Sequence, residues 1–238
     1  MVLPVANTAS YELMLPSQQK TVKYRAFLVK EEKILLMAME SGDSQEMLNA
    51  IKNIVEACTF GELKADEYPM FDLEYVFLQI RAKSVGETSK IKLLCPDDKK
   101  TYVDTEIDLS KIEVYVDDDH SPNILIDEGR KLGVVMKYPT LKEVDPKILE
   151  GDINIEKTYK MITNSIDQIY EGDKVFLAKD TPKKEIEEFV EGLTADQMRK
   201  LSAFYNSMPR LEHKVKVKNP KTEVESEVTL KGLASFFG

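Results

Sequence analysis

The 238-residue sequence contains no tryptophan, two histidines and only two cysteines. The thiols of Cys58 and Cys95 are too few for a disulfide framework in a chain of this length, so we expect a reducing compartment. No apolar run approaches the roughly 20 residues needed to cross a bilayer. Residues 1–6 place no basic segment ahead of a long apolar stretch, so we expect no secretory signal there.

Short catalytic signatures are also missing. The patterns GxxxxGK[ST], GxGxxG, GxSxG and HExxH do not occur. Cys58 falls on the apolar stripe of a predicted helix, which indicates a core residue. His120 follows three aspartates in a predicted loop, and His213 lies on a predicted strand. We therefore expect no catalytic residues and no cofactor. A small metal-dependent cell-wall hydrolase is the enzymatic alternative, and it would need histidines and carboxylates that converge in one cleft.

The formal charge of -9 argues against nucleic acid or an anionic membrane as the main partner, since both attract clustered Lys and Arg. Apolar residues make up 42% and charged residues 32%, as in folded globular proteins. The acidic run Asp117–Asp119 could bind a hard cation, but it lacks the ligand spacing of an EF-hand. A solvated acidic turn is the favoured interpretation. The composition therefore points to protein partners.

Hydrophobic periodicity predicts a hairpin, three helices, a β meander, three helices and a second hairpin. Because strands are grouped and do not alternate with helices, the fold class is α+β. One of the last three helices is predicted to carry Tyr159, Ile162, Ile166 and Ile169 on one face. We expect three segments, 1–86, 87–145 and 146–238, with the last hairpin packing back on the β unit. The three segments could also form one compact domain.

The hairpins at 90–109 and 213–230 share a plan that resembles the arms of a zinc ribbon. A structural zinc site needs about four soft ligands, typically two CxxC knuckles. Only Cys95 stands at a knuckle position, because its partner position is Asp98 and the second turn reads Asn-Pro-Lys-Thr from Asn219. We therefore expect a metal-free hairpin unit, with Cys95 as the remaining candidate metal ligand.

Four segments together resemble the hub subunit and hub assembly family of T-even-type contractile phage baseplates. They are YRAFLVKEEKILLMA at 24–38, FDLEYVFLQIRAKSVGE at 71–87, VVMKYPT at 134–140, and the ending from FYNSMP at 204 to GLASFF at 237. The resemblance implies a late-expressed structural protein of the hub, or an assembly chaperone absent from the virion. It implies hub and tail proteins as partners, the host cytoplasm and then the tail baseplate as locations, and no catalytic residues.

A protein that works by contacts should present interface anchors such as aromatic side chains and arginine. The candidates are Tyr24, Arg25 and Phe27 near the first helix, His213 on a strand edge, and the terminal pair Phe236 and Phe237. Tyr24 and Phe27 could instead lie under the first helix. The terminal Phe pair could dock on its own domain, which the burial preference of Phe favours. Alternating lysines on the strand of His213 are a typical guard against indiscriminate pairing.

Overall fold

The computed structural model describes residues 8–143 and 155–236. Contacts divide the chain into two units. Unit 1 combines residues 1–115 with 210–238, and unit 2 is the continuous stretch 116–209. The predicted α+β class is confirmed, since helices and small antiparallel sheets occur in both units.

Three helices of unit 1 follow its first hairpin, as predicted: α1 (Val29–Ser41), α2 (Ser44–Cys58) and α3 (Met70–Val85). Gly42 ends α1 with a φ of 65°, a left-handed conformation that suits glycine. Asp43 begins α2, because its carboxylate accepts hydrogen bonds from the backbone N–H groups of Gln45 and Glu46 at 2.8 and 2.9 Å. Pro69 precedes α3, where the missing donor costs nothing.

The strands of unit 1 form three small antiparallel sheets. β1 (Ser10–Met14) pairs with β2 (Thr21–Arg25), and β3 (Thr88–Leu94) pairs with β4 (Tyr102–Asp108). β10 (Arg210–Lys218) lies between β11 (Glu225–Lys231) and the two-residue β5 (Val114–Tyr115). The largest fully buried side chains of this unit are Leu15, Ile54, Leu63, Leu73, Phe77, Leu78, Ile80, Leu109, Ile112 and Phe236.

Unit 2 is built on a four-stranded antiparallel sheet in the order β6-β7-β8-β9. The strands are β6 (Asn123–Asp127), β7 (Leu132–Met136), β8 (Ile166–Glu171) and β9 (Lys174–Leu177). The described helices are α4 (Ile155–Asn164), α5 (Lys183–Glu191) and α6 (Ala195–Ser207). Their shared core contains Ile126, Leu132, Val134, Met136, Ile162, Ile166, Ile186, Val190, Leu201 and Phe204.

The prediction of a helix that runs through Ile169 is wrong in its second half. The helix ends at Asn164, and Ile166 and Ile169 lie on β8. Gly172, with a φ of 57°, turns β8 into β9, a strand that the sequence pattern did not predict. Apolar residues three and four apart fit a helix, but pairing of β8 with both β7 and β9 decides the outcome.

The two units do not follow the three sequence segments. The segment 87–145 contributes β3, β4 and β5 to unit 1 and β6 and β7 to unit 2. The segment 146–238 likewise gives its helices to unit 2 and its hairpin to unit 1. Within unit 1, β5 pairs with β10 across a long sequence separation, and Tyr115 lies opposite Arg210. Such long-range pairing leaves no local sequence signal.

Among the described residues, no helix is long and apolar enough to cross a membrane.

Candidate interaction surfaces

Arg25 lies buried at the base of α1. Its guanidinium forms an ion pair with Glu31 at 3.0 Å and donates hydrogen bonds to the carbonyl oxygens of Ala26 and Ala57 at 2.9 and 3.3 Å. Glu31 also accepts a hydrogen bond from the backbone N–H of Leu28 at 2.7 Å. Burial would raise the pKa of Glu31, but the hydrogen bonds from Arg25 and Leu28 lower it overall. Arg25 therefore holds the first turn of α1 in place through Glu31. Its own side chain is buried and offers no surface to a partner.

The neighbouring aromatic candidates also serve the interior of unit 1. Tyr24 is buried, and its ring lies 5.5 Å from that of Tyr11 between centroids. Phe27 is half-buried, and its backbone N–H donates to the Ser84 hydroxyl at 2.9 Å. These residues hold β2 and the start of α1 to the remainder of unit 1.

The candidates near the C-terminus divide between strand and core. His213 is half-buried on β10, opposite Leu230 of β11. Phe236 is completely buried, and its carbonyl oxygen accepts a hydrogen bond from the Ser89 hydroxyl at 3.0 Å. Phe236 therefore docks within its own unit. Phe237 lies outside the described residues.

The turn of Cys95 meets the turn of Asn219 within unit 1. The amide of Asn219 donates to both carboxylate oxygens of Asp97 at 3.0 Å, and the Thr222 hydroxyl donates to the same carboxylate. These bonds from Thr222 and Asn219 lower the pKa of Asp97, while burial raises the pKa of the Cys95 thiol. Among the described residues, no three His, Cys, Asp or Glu side chains are grouped to hold a metal ion.

Hydrogen bonds engage both ring nitrogens of His120. Its Nδ1 lies 2.9 Å from the Ser207 hydroxyl, its Nε2 lies 2.9 Å from the Tyr138 hydroxyl, and burial lowers its pKa. His120 belongs to unit 2 and His213 to unit 1. In the described part of the chain, the histidines and carboxylates that a metal-dependent hydrolase needs do not form a cluster.

Burial also raises the pKa of Cys58 to about 11, which suits a core thiol better than a nucleophile.

The most exposed apolar element of unit 1 is α1, which the sequence prediction did not select. Only Glu31 and Ala38 of this helix are buried. We define the α1 surface as its exposed apolar side chains, which are 42–79% exposed: Val29, Ile34, Leu36, Met37 and Met39. The signal was present in the sequence, because the run from Ile34 to Met37 places apolar residues on every side of the helix. A helix that is apolar all round is normally buried.

A family model described as T4 bacteriophage base plate protein matches residues 8–238. The chain belongs to this family. The searches of curated proteins and of solved structures gave no match. Membership gives this baseplate protein a structural or assembly role in the phage tail baseplate, where its partners are other baseplate proteins.

Proposed function

We propose that this baseplate protein is a structural or assembly component of the tail hub, and that it works without catalysis through the α1 surface. The hub assignment is supported by the four segments of the sequence that resemble hub proteins. The contact mechanism is supported by one observation, the exposure of apolar side chains around α1. A partner that covers α1 would remove these side chains from water.

The energetics favour a covered α1. Fully burying a Leu or Met side chain contributes about 1.5–3 kcal/mol, so a half-exposed one contributes roughly half of that, and several together offset part of the entropy lost on association. Leu36 and Met39 are each about half exposed, and Val29 is exposed at the start of the helix. The α1 surface is therefore an apolar contact of the kind found at the centre of stable interfaces.

The base of α1 is rigid, which strengthens the surface as a contact. The ion pair between Arg25 and Glu31 joins β2 to the first turn of the helix. Gly42 and the Asp43 cap join its end directly to α2. A helix held at both ends loses little conformational entropy on binding, so more of the burial energy contributes to affinity.

The test uses phage that carry Leu36→Ser together with Met39→Ser. Both side chains are exposed, so the isolated protein should keep its fold, as circular dichroism would show. We expect the wild-type protein at fixed stoichiometry in purified virions, and a loss of at least about tenfold for the double variant, equivalent to about 1.4 kcal/mol of contact energy. Quantitative mass spectrometry of virions measures this loss.

Lys33→Ser is the matched control, because Lys33 is an exposed polar residue of the same helix. It should leave incorporation unchanged. Normal incorporation and normal tail assembly with the double variant would refute the role of α1. A wild-type protein that is absent from virions, yet bound to hub intermediates in infected cells through α1, would assign the chaperone role in place of the structural one.

A further inference from the structure

The last strand of the sheet in unit 2 has an apolar edge, at which the Leu177 carbonyl accepts a hydrogen bond from the Thr181 hydroxyl at 2.9 Å. β9 pairs with β8 on one side, and in the described ranges no strand pairs with its other side. Its residues Val175, Phe176 and Leu177 are 37–57% exposed. Free edges are normally guarded by charge, proline or a bulge, because they can pair with another chain. In β9 the only charged residue is Lys174, at the first position.

A groove lies beside this edge, between the sheet and α5. It is open and has a volume of about 410 Å³. Apolar side chains from both walls line it: Leu132, Ile169 and Phe176 from the strands, and Ile186, Phe189 and Leu193 from α5 and the turn after it. Phe176 belongs to both features, since it lies on β9 and lines the groove. A side chain from a strand next to β9 would therefore have an apolar site to enter.

The groove is acidic at its rim. Three carboxylates, Glu171, Glu185 and Glu188, line it together with one guanidinium, that of Arg130. Arg130 is paired with Glu171 at 2.8 Å, and Glu188 lies 3.7 Å from the exposed Lys184. The whole stretch 116–209 carries 19 acidic and 13 basic side chains. A ligand with basic side chains would complement this charge.

We propose that this groove binds an extended, basic segment of another baseplate protein, which adds to β9 as a fifth strand. Backbone hydrogen bonds to β9 would supply affinity. Specificity would come from the one alternate set of side chains that faces the groove, which would contain an apolar residue over Phe176 and Lys or Arg beside Glu185 and Glu188. The inference rests on the proposed function, because it names the chemistry of one partner segment.

The test begins with a library of random peptides selected on the full-length protein. We expect enrichment of peptides that carry apolar residues and Lys or Arg at every second position, because side chains two residues apart face the groove together. A selection that enriches no pattern, or enriches acidic peptides, overturns the proposal. Fluorescence anisotropy then measures the affinity of the best peptide, which should weaken as salt rises because the charged contacts are screened.

Backbone methylation tests strand addition directly. In a strand, successive N–H groups point to opposite edges, so one alternate set would donate to β9 and the other set would face solvent. N-methylation of one set should abolish binding, and N-methylation of the other should leave it unchanged. Equal affinity of both methylated peptides would contradict the proposal.

Three variants complete the test. Phe176→Ser and the pair Glu185→Lys with Glu188→Lys should each weaken peptide binding by at least about tenfold, equivalent to about 1.4 kcal/mol. Glu187→Lys together with Glu191→Lys is the matched control, since it makes the same charge change on α5 outside the groove lining. Binding that is insensitive to both Phe176→Ser and the Glu185/Glu188 pair disproves the groove. The proposed function is tested separately at α1 in unit 1, so failure here leaves that result intact.

Discussion

At the scale of single residues, buried polar groups of unit 1 join segments far apart in the chain. Arg25 links β2 to α1 and α2, and Asp72 of α3 accepts a hydrogen bond from the backbone N–H of Ser17 at 3.0 Å. Asn219 joins the two hairpin turns through Asp97. Glu31, Asp72 and Asn219 are buried, so removing a partner leaves a desolvated group with fewer hydrogen bonds.

Arg25→Ala should destabilise the protein by about 3–5 kcal/mol, because Glu31 would remain buried without its partner. Arg25→Met combined with Glu31→Gln should cost clearly less than the single change, since no charge is then left unpaired. Thermal unfolding followed by circular dichroism measures both. A double variant that is destabilised as much as Arg25→Ala would show that the unpaired charge of Glu31 is not the cause.

Glu74 gives unit 1 a pH dependence. Burial raises the pKa of Glu74 to about 7, and its carboxylate accepts a hydrogen bond from the backbone N–H of Leu233 at 3.3 Å. The raised pKa means that the folded state binds a proton on the Glu74 carboxylate more tightly than the unfolded state does. Glu74 therefore lowers the free energy of unfolding as pH rises from 4.5, its ordinary pKa, through 7.

Glu74→Gln keeps an acceptor for Leu233 and removes the charge. It should raise stability at pH 8 by up to roughly 3 kcal/mol and change little near pH 4. Urea unfolding across this pH range tests the sign. Glu106→Gln, at an exposed position of β4, is the control and should have no such effect. A Glu74→Gln variant that is less stable than the wild type at pH 8 would contradict the assignment.

At the scale of elements, local signals predicted most of the fold. The three helices of unit 1 and the hairpins at 90–109 and 213–230 are present, and Gly42, Asp43 and the capping box of Thr194 with Gln197 stand at helix ends, where such residues are favoured. β9 was missed because a four-residue strand with no alternation carries almost no local pattern. The residues of the interaction surfaces were harder to predict, because Arg25 and Tyr24 are residue types that are common at interfaces. Their partners, Glu31 and Tyr11, could be identified only from the folded chain.

Gly133 shows how the sheet of unit 2 depends on one missing side chain. A Cβ atom there would lie 2.2 Å from both the Cζ and the hydroxyl oxygen of Tyr170, the residue opposite on β8. The Tyr170 hydroxyl also donates to Asn123 at 2.7 Å, so the ring spans β7 to reach β6. The close approach of ring and backbone requires glycine at this position.

Gly133→Ala should displace Tyr170, break its bond to Asn123 and destabilise unit 2 by about 1–3 kcal/mol. Thermal unfolding measures the loss. Gly129→Ala is the matched control, because a Cβ there makes only an ordinary contact of 3.5 Å with Asp127. Equal stability of the two variants would mean that the ring can move aside without cost.

At the scale of the whole molecule, unit 2 is an insertion between two paired strands of unit 1. The chain leaves unit 1 after Tyr115 and returns at Arg210, and these two residues face each other in the ladder of β5 and β10. Residues that face each other in an antiparallel ladder can be joined by a two-residue turn. A two-residue turn from Tyr115 to Arg210 could therefore take the place of unit 2 and keep the chain of unit 1 continuous.

Replacing residues 116–209 by Asn-Gly should give a folded unit 1, because this pair favours the hairpin turn that would join β5 to β10. Dispersed amide resonances and a cooperative melt would show folding. Deletion of the sequence segment 87–145 is the contrasting control, and it should unfold the chain since it removes β3 and β4. An unfolded Asn-Gly protein would show that unit 1 depends on unit 2 for stability.

The β5–β10 ladder has a mechanical consequence. A force applied to the chain at residues 116 and 209 would act directly on Tyr115 and Arg210. These two residues lie at the same end of the ladder. Its hydrogen bonds run perpendicular to the strands and would open one after another, instead of being sheared together. The ladder holds only two residue pairs, whereas β10 and β11 share seven. Under such a force, this short ladder would open before the longer pairing of β10 with β11.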